Sequence, residues 1–164
     1  MRYNAAGKAA LVLALAFVAG CDEITDLDAD EVAVRAAHAL PPVSSATVDF
    51  TVDVAVDNFS TRTLFAETSC DWVIEKLGES LWETAYTAPC AAETFLEIGP
   101  KTTGSLTLTA LVAQRLDASL APPGTYRVRL AIEATYSRLR RQEVPEASRT
   151  SNEFFVTVVE EPAA

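Results

Sequence analysis

Histidine, positive charge and glycine are all scarce in this chain, and each scarcity closes off a class of chemistry. His38 is the only histidine among 164 residues, and it accompanies three cysteines. Two of those thiols lie 20 residues apart, which does not make a zinc set. His38 also falls in a lead-in segment rather than among the strands. No Gly-x-Ser-x-Gly elbow accompanies it, so nothing points to a Ser-His-Asp site. Six glycines build no phosphate loop and no dinucleotide-binding turn. We therefore expect no catalytic residue, metal or cofactor, and no enzyme activity. The 13 basic residues face 23 acidic ones, for a net charge of −10. Such a surface cannot replace the counterions around a phosphate backbone, so no nucleic-acid partner is expected.

Long apolar runs are absent too. The longest, Ala9–Ala19, has 11 residues. At helical rise this covers roughly 16 Å, about half of a bilayer's hydrocarbon core. With Arg2 and Lys8 ahead of it, the run reads as the h-region of a signal peptide. It ends Val18-Ala19-Gly20-Cys21. An aliphatic residue, two small residues and a cysteine in this position resemble the lipobox of bacterial lipoproteins. The resemblance implies cleavage after residue 20 and lipid attachment at the Cys21 sulfur. It places the rest of the chain in the cell envelope, held to a membrane by acyl chains. Asp22 follows the cysteine and leaves the membrane face open. Loss of Arg2 and Lys8 with the leader takes the basic count from 13 to 11 against 23 acids, a net charge of −12.

With Cys21 committed to lipid, Cys70 and Cys90 remain. An even pair in an oxidising compartment predicts one disulfide. A bridge closing a loop of this size contributes roughly 3 kcal/mol in the chain-entropy model.

Residues 22–31 (DEITDLDADE) carry six acids and no base. Asp26, Asp28 and Asp30 alternate as calcium ligands do. However, an EF-hand loop begun at Asp26 needs glycine at its sixth position and glutamate at its twelfth, where Glu31 and Ala37 stand. The segment reads as a solvated acidic tether. Residues 32–40 form either a short helix or a first strand, ended by Pro41-Pro42.

From residue 47 the apolar period becomes two. In Thr47–Val56, Val48, Phe50, Val52, Val54 and Val56 share one face, which predicts a half-buried strand. Asp57-Asn58 follows as a turn; the sequon Asn58-Phe59-Ser60 is read as part of it. Further strands are expected at Arg62–Ala66, Cys70–Lys76, Leu81–Tyr86, Phe95–Ile98 and Ser105–Val112. A hairpin turn centred near Gly78 would set Ile74 opposite Trp82 and Cys70 near Tyr86, with Cys90 just past the open end. Pro122-Pro123-Gly124 marks a turn. Tyr126–Ala134 alternates as a single strand, with Tyr126, Val128, Leu130, Ile132 and Ala134 facing in. Phe154–Glu160 closes the series. About eight short strands without a long helix predict an all-β, antiparallel, immunoglobulin-like sandwich, with a small barrel as the alternative. The expected organisation is a leader at 1–20, a tether and lead-in at 21–45, the sandwich at 46–160 and a tail at 161–164.

Several segments in order carry a second resemblance. They are the strand ending Val56-Asp57-Asn58, then Trp72, then Gly78 followed by Leu81-Trp82, then Leu120-Ala121-Pro122-Pro123-Gly124-Thr125-Tyr126. Across roughly residues 46–134 this looks like the BsuPI-type intracellular proteinase inhibitor domain, an immunoglobulin-like sandwich. The resemblance implies that fold and, as an activity, proteinase inhibition. No inhibitory residue is carried over.

Two side-chain groups remain. Glu75, Glu79, Glu83 and Glu97 supply carboxylates for a glycosidase pair on paper, yet most alternate outward as a solvated face would. Ser137–Thr150 is the unusual segment: Arg138, Arg140, Arg141 and Arg149 oppose only Glu143 and Glu146. A basic loop on an acidic protein is a recognition surface for a carboxylate-rich partner, or a polar hairpin whose arginines pair with the domain's own acids. The sequence therefore points to a lipid-anchored binding module for a protein or an envelope polymer. A surface proteinase inhibitor is the alternative, and an enzyme with an unrecognised site the third reading. Oligomeric state is left open.

Overall fold

The computed structural model describes residues 27–37, 43–44, 50–90, 92–110, 120, 122–137 and 140–159. Residues 1–20, read above as a leader, and Cys21, His38, Arg138 and residues 161–164 lie outside the described residues. Among the described residues there is no α-helix and no closed barrel; the chain is an all-β sandwich.

The described residues form thirteen strands: β1 (Val32–Ala36), β2 (Val43–Ser44), β3 (Phe50–Asn58), β4 (Leu64–Glu67), β5 (Val73–Leu77), β6 (Trp82–Thr87), β7 (Phe95–Ile98), β8 (Thr103–Ala110), β9 (Gly124–Arg129), β10 (Ile132–Ser137), β11 (Arg140–Glu143), β12 (Phe154–Val156) and β13 (Val158–Val159). Eleven of them form three antiparallel sheets, ordered β1-β3-β8, β11-β10-β4-β7 and β12-β9-β5-β6. The short β2 and β13 pair in parallel. A 3-10 helix at Glu146–Arg149 links β11 to β12.

The period-two pattern has its expected effect. Val52, Val54 and Val56 of β3 are buried, and so are Leu108 and Ala110 of β8. Their outward neighbours pair across the strands: Thr107 Oγ1 donates to Asp53 at 2.6 Å, and Thr103 Oγ1 to Asp57 at 2.7 Å. Side chains from all three sheets meet in one core, with Ile74, Leu64, Ile98, Tyr126 and Leu130 almost fully enclosed.

Four expectations need correction. The lead-in residues 32–36 are strand β1, paired with β3 along its whole length, so the folded body starts upstream of residue 46. Tyr126–Ala134 is not one strand. It breaks at Leu130-Ala131 and passes from the β9 sheet to the β10 sheet. Alternating burial persists through the break, so all five inward residues stay buried. Phe154–Glu160 likewise divides into β12 and β13, and the 137–150 segment contributes β11; together with β1 and β2, these raise the count above eight. The Gly78 hairpin has Leu77 opposite Trp82 and Ile74 opposite Tyr86. The register shifts between Ile74 and Glu75, leaving Ala85 as the extra residue of a bulge, and Ala85 and Tyr86 are both buried.

Polar groups tie the turns to this frame. Asn58, 1% exposed, ends β3 with its side chain fully used. Its Nδ2 donates to Arg62 O at 2.7 Å, Gly99 O at 2.9 Å and Ile98 O at 3.2 Å. Its Oδ1 accepts from Ser60 N at 3.0 Å and Ser60 Oγ at 2.7 Å. The sequon asparagine is thus the hub of the turn that follows it, while Asp57 and Asn58 themselves, expected as turn residues, are the last residues of β3. Ahead of β9, Tyr126 OH donates to Leu120 O at 3.0 Å. This contact reaches six residues back, in the manner of the tyrosine corner of immunoglobulin-like sandwiches. Gly104 is required by close packing: a β-carbon there would lie 2.6 Å from Ile98 Cγ1.

Replacing Asn58 by alanine strands several buried carbonyls at once. We expect Asn58→Ala to lower unfolding free energy in denaturant by about 2–4 kcal/mol, against about 1 kcal/mol for Tyr126→Phe. An Asn58→Ala variant as stable as the parent would remove the hub role.

Candidate functional site

The outward face of the β11-β10-β4-β7 sheet carries a groove of about 600 Å³. Asp71, Glu93, Phe95, Glu133, Arg141 and Glu143 are among its lining residues, with Arg149. Strand register explains the gathering. Glu133 of β10 stands between Phe65 of β4 and Glu143 of β11, and Phe95 of β7 sits opposite Glu67. Arg141 lies diagonally across this row. Its guanidinium sits 3.7 Å from the Phe65 ring centre and 5.2 Å from that of Phe95, with Glu133 Oε2 3.6 Å from Nη1. Cation–π attraction to both rings holds the guanidinium over this platform. Phe95 is 43% exposed, so the platform is open to solvent.

The three described arginines of the basic segment do not act together. Arg138 lies outside the described residues. Arg140 is exposed and, among the described residues, makes no ion pair. Arg141 belongs to the groove. Adjacent residues of a strand point to opposite faces, so Arg140 and Arg141 do not share a surface. Arg149 is turned inward, its side chain 14% exposed. Its Nη2 meets Glu143 at 2.7 Å and its Nη1 donates to Leu130 O at 3.2 Å. Leu130 N in turn donates to Arg149 O at 3.0 Å. Arg149 therefore braces the corner where the chain changes sheets.

Glu67 anchors one end of the groove. Its Oε1 accepts from Ser69 N and Thr94 N at 3.0 Å, Ser69 Oγ at 2.9 Å and Cys70 N at 3.2 Å. Burial alone would raise this carboxyl, but those hydrogen bonds together outweigh it and leave the group below the usual range. The next link is the Cys70–Cys90 disulfide, with Cα atoms 4.5 Å apart. Asp71 after it takes φ of 56°, a left-handed turn that aspartate tolerates. Trp72 then packs its ring 5.3 Å from that of Tyr86.

The glutamates considered for catalysis are dispersed. Glu79, Glu83 and Glu97 are exposed, as a solvated face requires. Glu75 departs from that reading: it is 7% exposed and takes an ion pair from Arg127 at 2.6 Å and another from Arg129 at 3.2 Å. Alternation along one strand gives the outward direction, but the covering arginines come from β9, which only register reveals. The sequence likewise holds no sign that Phe65 and Phe95 would flank Arg141, since three strands had to be aligned first. A smaller recess of about 500 Å³ lies on the β1-β3-β8 sheet, lined by Arg35, Asp53, Ala55, Ser105 and Thr107. Beside it, Arg35 pairs with Asp57 at 2.5 and 2.9 Å, which, with Thr103, holds that carboxyl below the usual range against the effect of burial. Among the described residues no cluster of histidine, cysteine or carboxylate is arranged to hold a metal.

No protein-family model and no curated protein matches the chain. Among solved structures it is similar to a structural-genomics target determined by X-ray crystallography, at TM-score 0.47 and 14% identity over 78% of this chain and 88% of that one. It is also similar to a putative ApaA protein from Bordetella pertussis, at TM-score 0.43 and 16% identity over 81% and 95%. A third is the CARDB domain of a Pyrococcus furiosus protein solved with di-metal ions, at TM-score 0.38 and 16% identity over 86% and 100%.

Asp57 and Glu67 are both held below the usual carboxylate range in the folded state, so their contribution is present above the unfolded values of 3.8 and 4.5 and is lost as pH falls through and below them. We expect the thermal midpoint to drop as pH falls below about 5, and the drop to shrink in the Asp57→Asn and Glu67→Gln variants. An acid limb unchanged in both variants would contradict the assignment.

Proposed function

We propose that this chain is an exported, lipid-anchored sandwich of the bacterial cell envelope, acting as a non-enzymatic binding module for a protein or envelope polymer. The supporting observation is the use of its three cysteines. Two are joined as Cys70–Cys90, a bond that persists in an oxidising compartment. The third, Cys21, closes an aliphatic-small-small-cysteine motif after a basic and apolar leader. Export accounts for both uses at once. The binding surface in this reading is the groove around Arg141, where a guanidinium lies close to two aromatic rings among carboxylates. Such mixed aromatic and arginine surfaces carry much of the energy in protein interfaces.

Mass spectrometry of material from its native membrane should find diacylglycerol on an N-terminal peptide beginning at Cys21, and Cys21→Ser should leave the protein unacylated. An unmodified cysteine, or a retained leader, would refute the anchor. For the groove, crosslinking in the native cell should capture a partner that Arg141→Glu with Phe95→Asp no longer retains, while folding persists. Capture unaffected by both changes would rule the groove out. A panel of serine proteases tests the inhibitory activity that the family resemblance implies.

A further inference from the structure

We propose that the outer face of the β12-β9-β5-β6 sheet is a second docking surface, independent of the Arg141 groove. Its occupant is an extended peptide segment of a partner protein that presents a carboxylate flanked by apolar side chains, with Arg127 as the anchor.

The first observation is a prepared arginine. The Arg127 guanidinium lies 4.3 Å from the Trp82 ring centre, and its Nε donates to Glu75 Oε2 at 2.6 Å. The Trp82 ring and the Glu75 carboxylate together hold the guanidinium in place. Arg127 is 25% exposed, and among the described residues its two terminal nitrogens carry no hydrogen bond. Arg129 completes the charge balance: it shares Glu75 at 3.2 Å and has Glu146 at 3.9 Å. The charges on this face are thus compensated, whereas the outward N–H donors of Arg127 are not. A planar, pre-oriented guanidinium edge is matched by a carboxylate, which it binds through two parallel hydrogen bonds.

The second observation is the apolar setting. Five large apolar residues are exposed among the described residues, and Leu77, Leu81 and Phe155 belong to this one sheet or its hairpin tip. Phe155 stands opposite Thr125, and Leu77 opposite Trp82. Lys76 pairs with Tyr126, so one step further along the same register Leu77 aligns with Thr125. Phe155, Thr125, Leu77 and Trp82 therefore form a row straight across four strands, with Arg127 beside it. Three inter-strand gaps make the row roughly 14 Å long, the span of about four extended residues. An inorganic anion would satisfy Arg127 but leave Leu77 and Phe155 in water. An uncharged apolar peptide would cover them but leave the guanidinium unmet. Only a segment with both features matches the whole row.

The test is selection of a displayed random-peptide library on the full-length protein held in detergent micelles. The expected result is enrichment of sequences with Asp or Glu between apolar residues. Capture of those sequences should fall about tenfold or more, or roughly 1.4 kcal/mol, in Arg127→Gln and in Phe155→Asp. Phe155 is 48% exposed, so Phe155→Asp should keep the parent's thermal midpoint and serve as the control if Arg127→Gln weakens the fold. Arg127→Lys keeps the charge but loses the flat, two-pronged edge, and should also capture poorly. Failure to enrich any acidic-apolar pattern, or equal capture by parent and both variants, would overturn the proposal. The selection depends on neither the lipid anchor nor Arg141, so its failure leaves the proposed function standing.

Discussion

The bend at Leu130-Ala131 is the constraint on which both proposed binding faces depend. One continuous stretch, Tyr126 to Ala134, crosses from the sheet carrying Arg127 and Arg129 to the sheet carrying Glu133. Strands that change sheets must leave their ladder, and the released backbone groups need new partners. Here Leu130 N and O are both taken by Arg149, and Ala131 O accepts from Glu67 N at 2.9 Å. The bend thereby joins the end of the 3-10 helix to the Glu67 cluster and the disulfide. If it slipped, Arg127 would leave Trp82, and Glu133 would leave Arg141.

Two further polar hubs stand where the sequence alone shows ordinary turn residues. Asn58 gathers the starts of β4 and β8 with the end of β7. Glu67 gathers Ser69, Cys70 and Thr94 around one carboxylate oxygen. Asn58 has its buried donors and acceptor completely matched, and one Glu67 oxygen gathers four donors; matching of this kind is the condition under which buried polar groups specify a fold rather than weaken it. The disulfide is an extension of the second hub: its buried end, Cys70, donates its N–H to Glu67.

Much of this architecture was legible in the sequence because alternation reports burial directly. β7 occurs at Phe95–Ile98 as expected, and β3 and β8 keep the expected faces. The Cys70–Cys90 pairing followed from counting thiols. What alternation cannot report is which sheet a residue belongs to. Tyr126–Ala134 keeps its period through the bend, so the change of sheet left no mark. The Gly78 hairpin's register differs because its turn runs from Gly78 to Leu81, with Gly78 N donating to Leu81 O at 2.9 Å, so Leu77 rather than Ile74 meets Trp82; the Ala85 bulge adds one residue more, and a bulge residue resembles any other strand residue. The basic segment misled for a similar reason. Arg140, Arg141 and Arg149 lie near one another in sequence, but the structure divides these three between solvent, groove and interior. Glu75, Trp82 and Arg127 become a site only once β5, β6 and β9 lie side by side.

Arg149 gives the most direct test, because a partner-binding role and a bracing role for it make opposite demands. Unfolding in denaturant should show Arg149→Ala less stable than the parent by about 2–3 kcal/mol, while Arg140→Ala, at an exposed position, stays within about 0.5 kcal/mol. Equal stability of the two variants would mean that the bend holds without its arginine, and would contradict this account of how both faces are positioned.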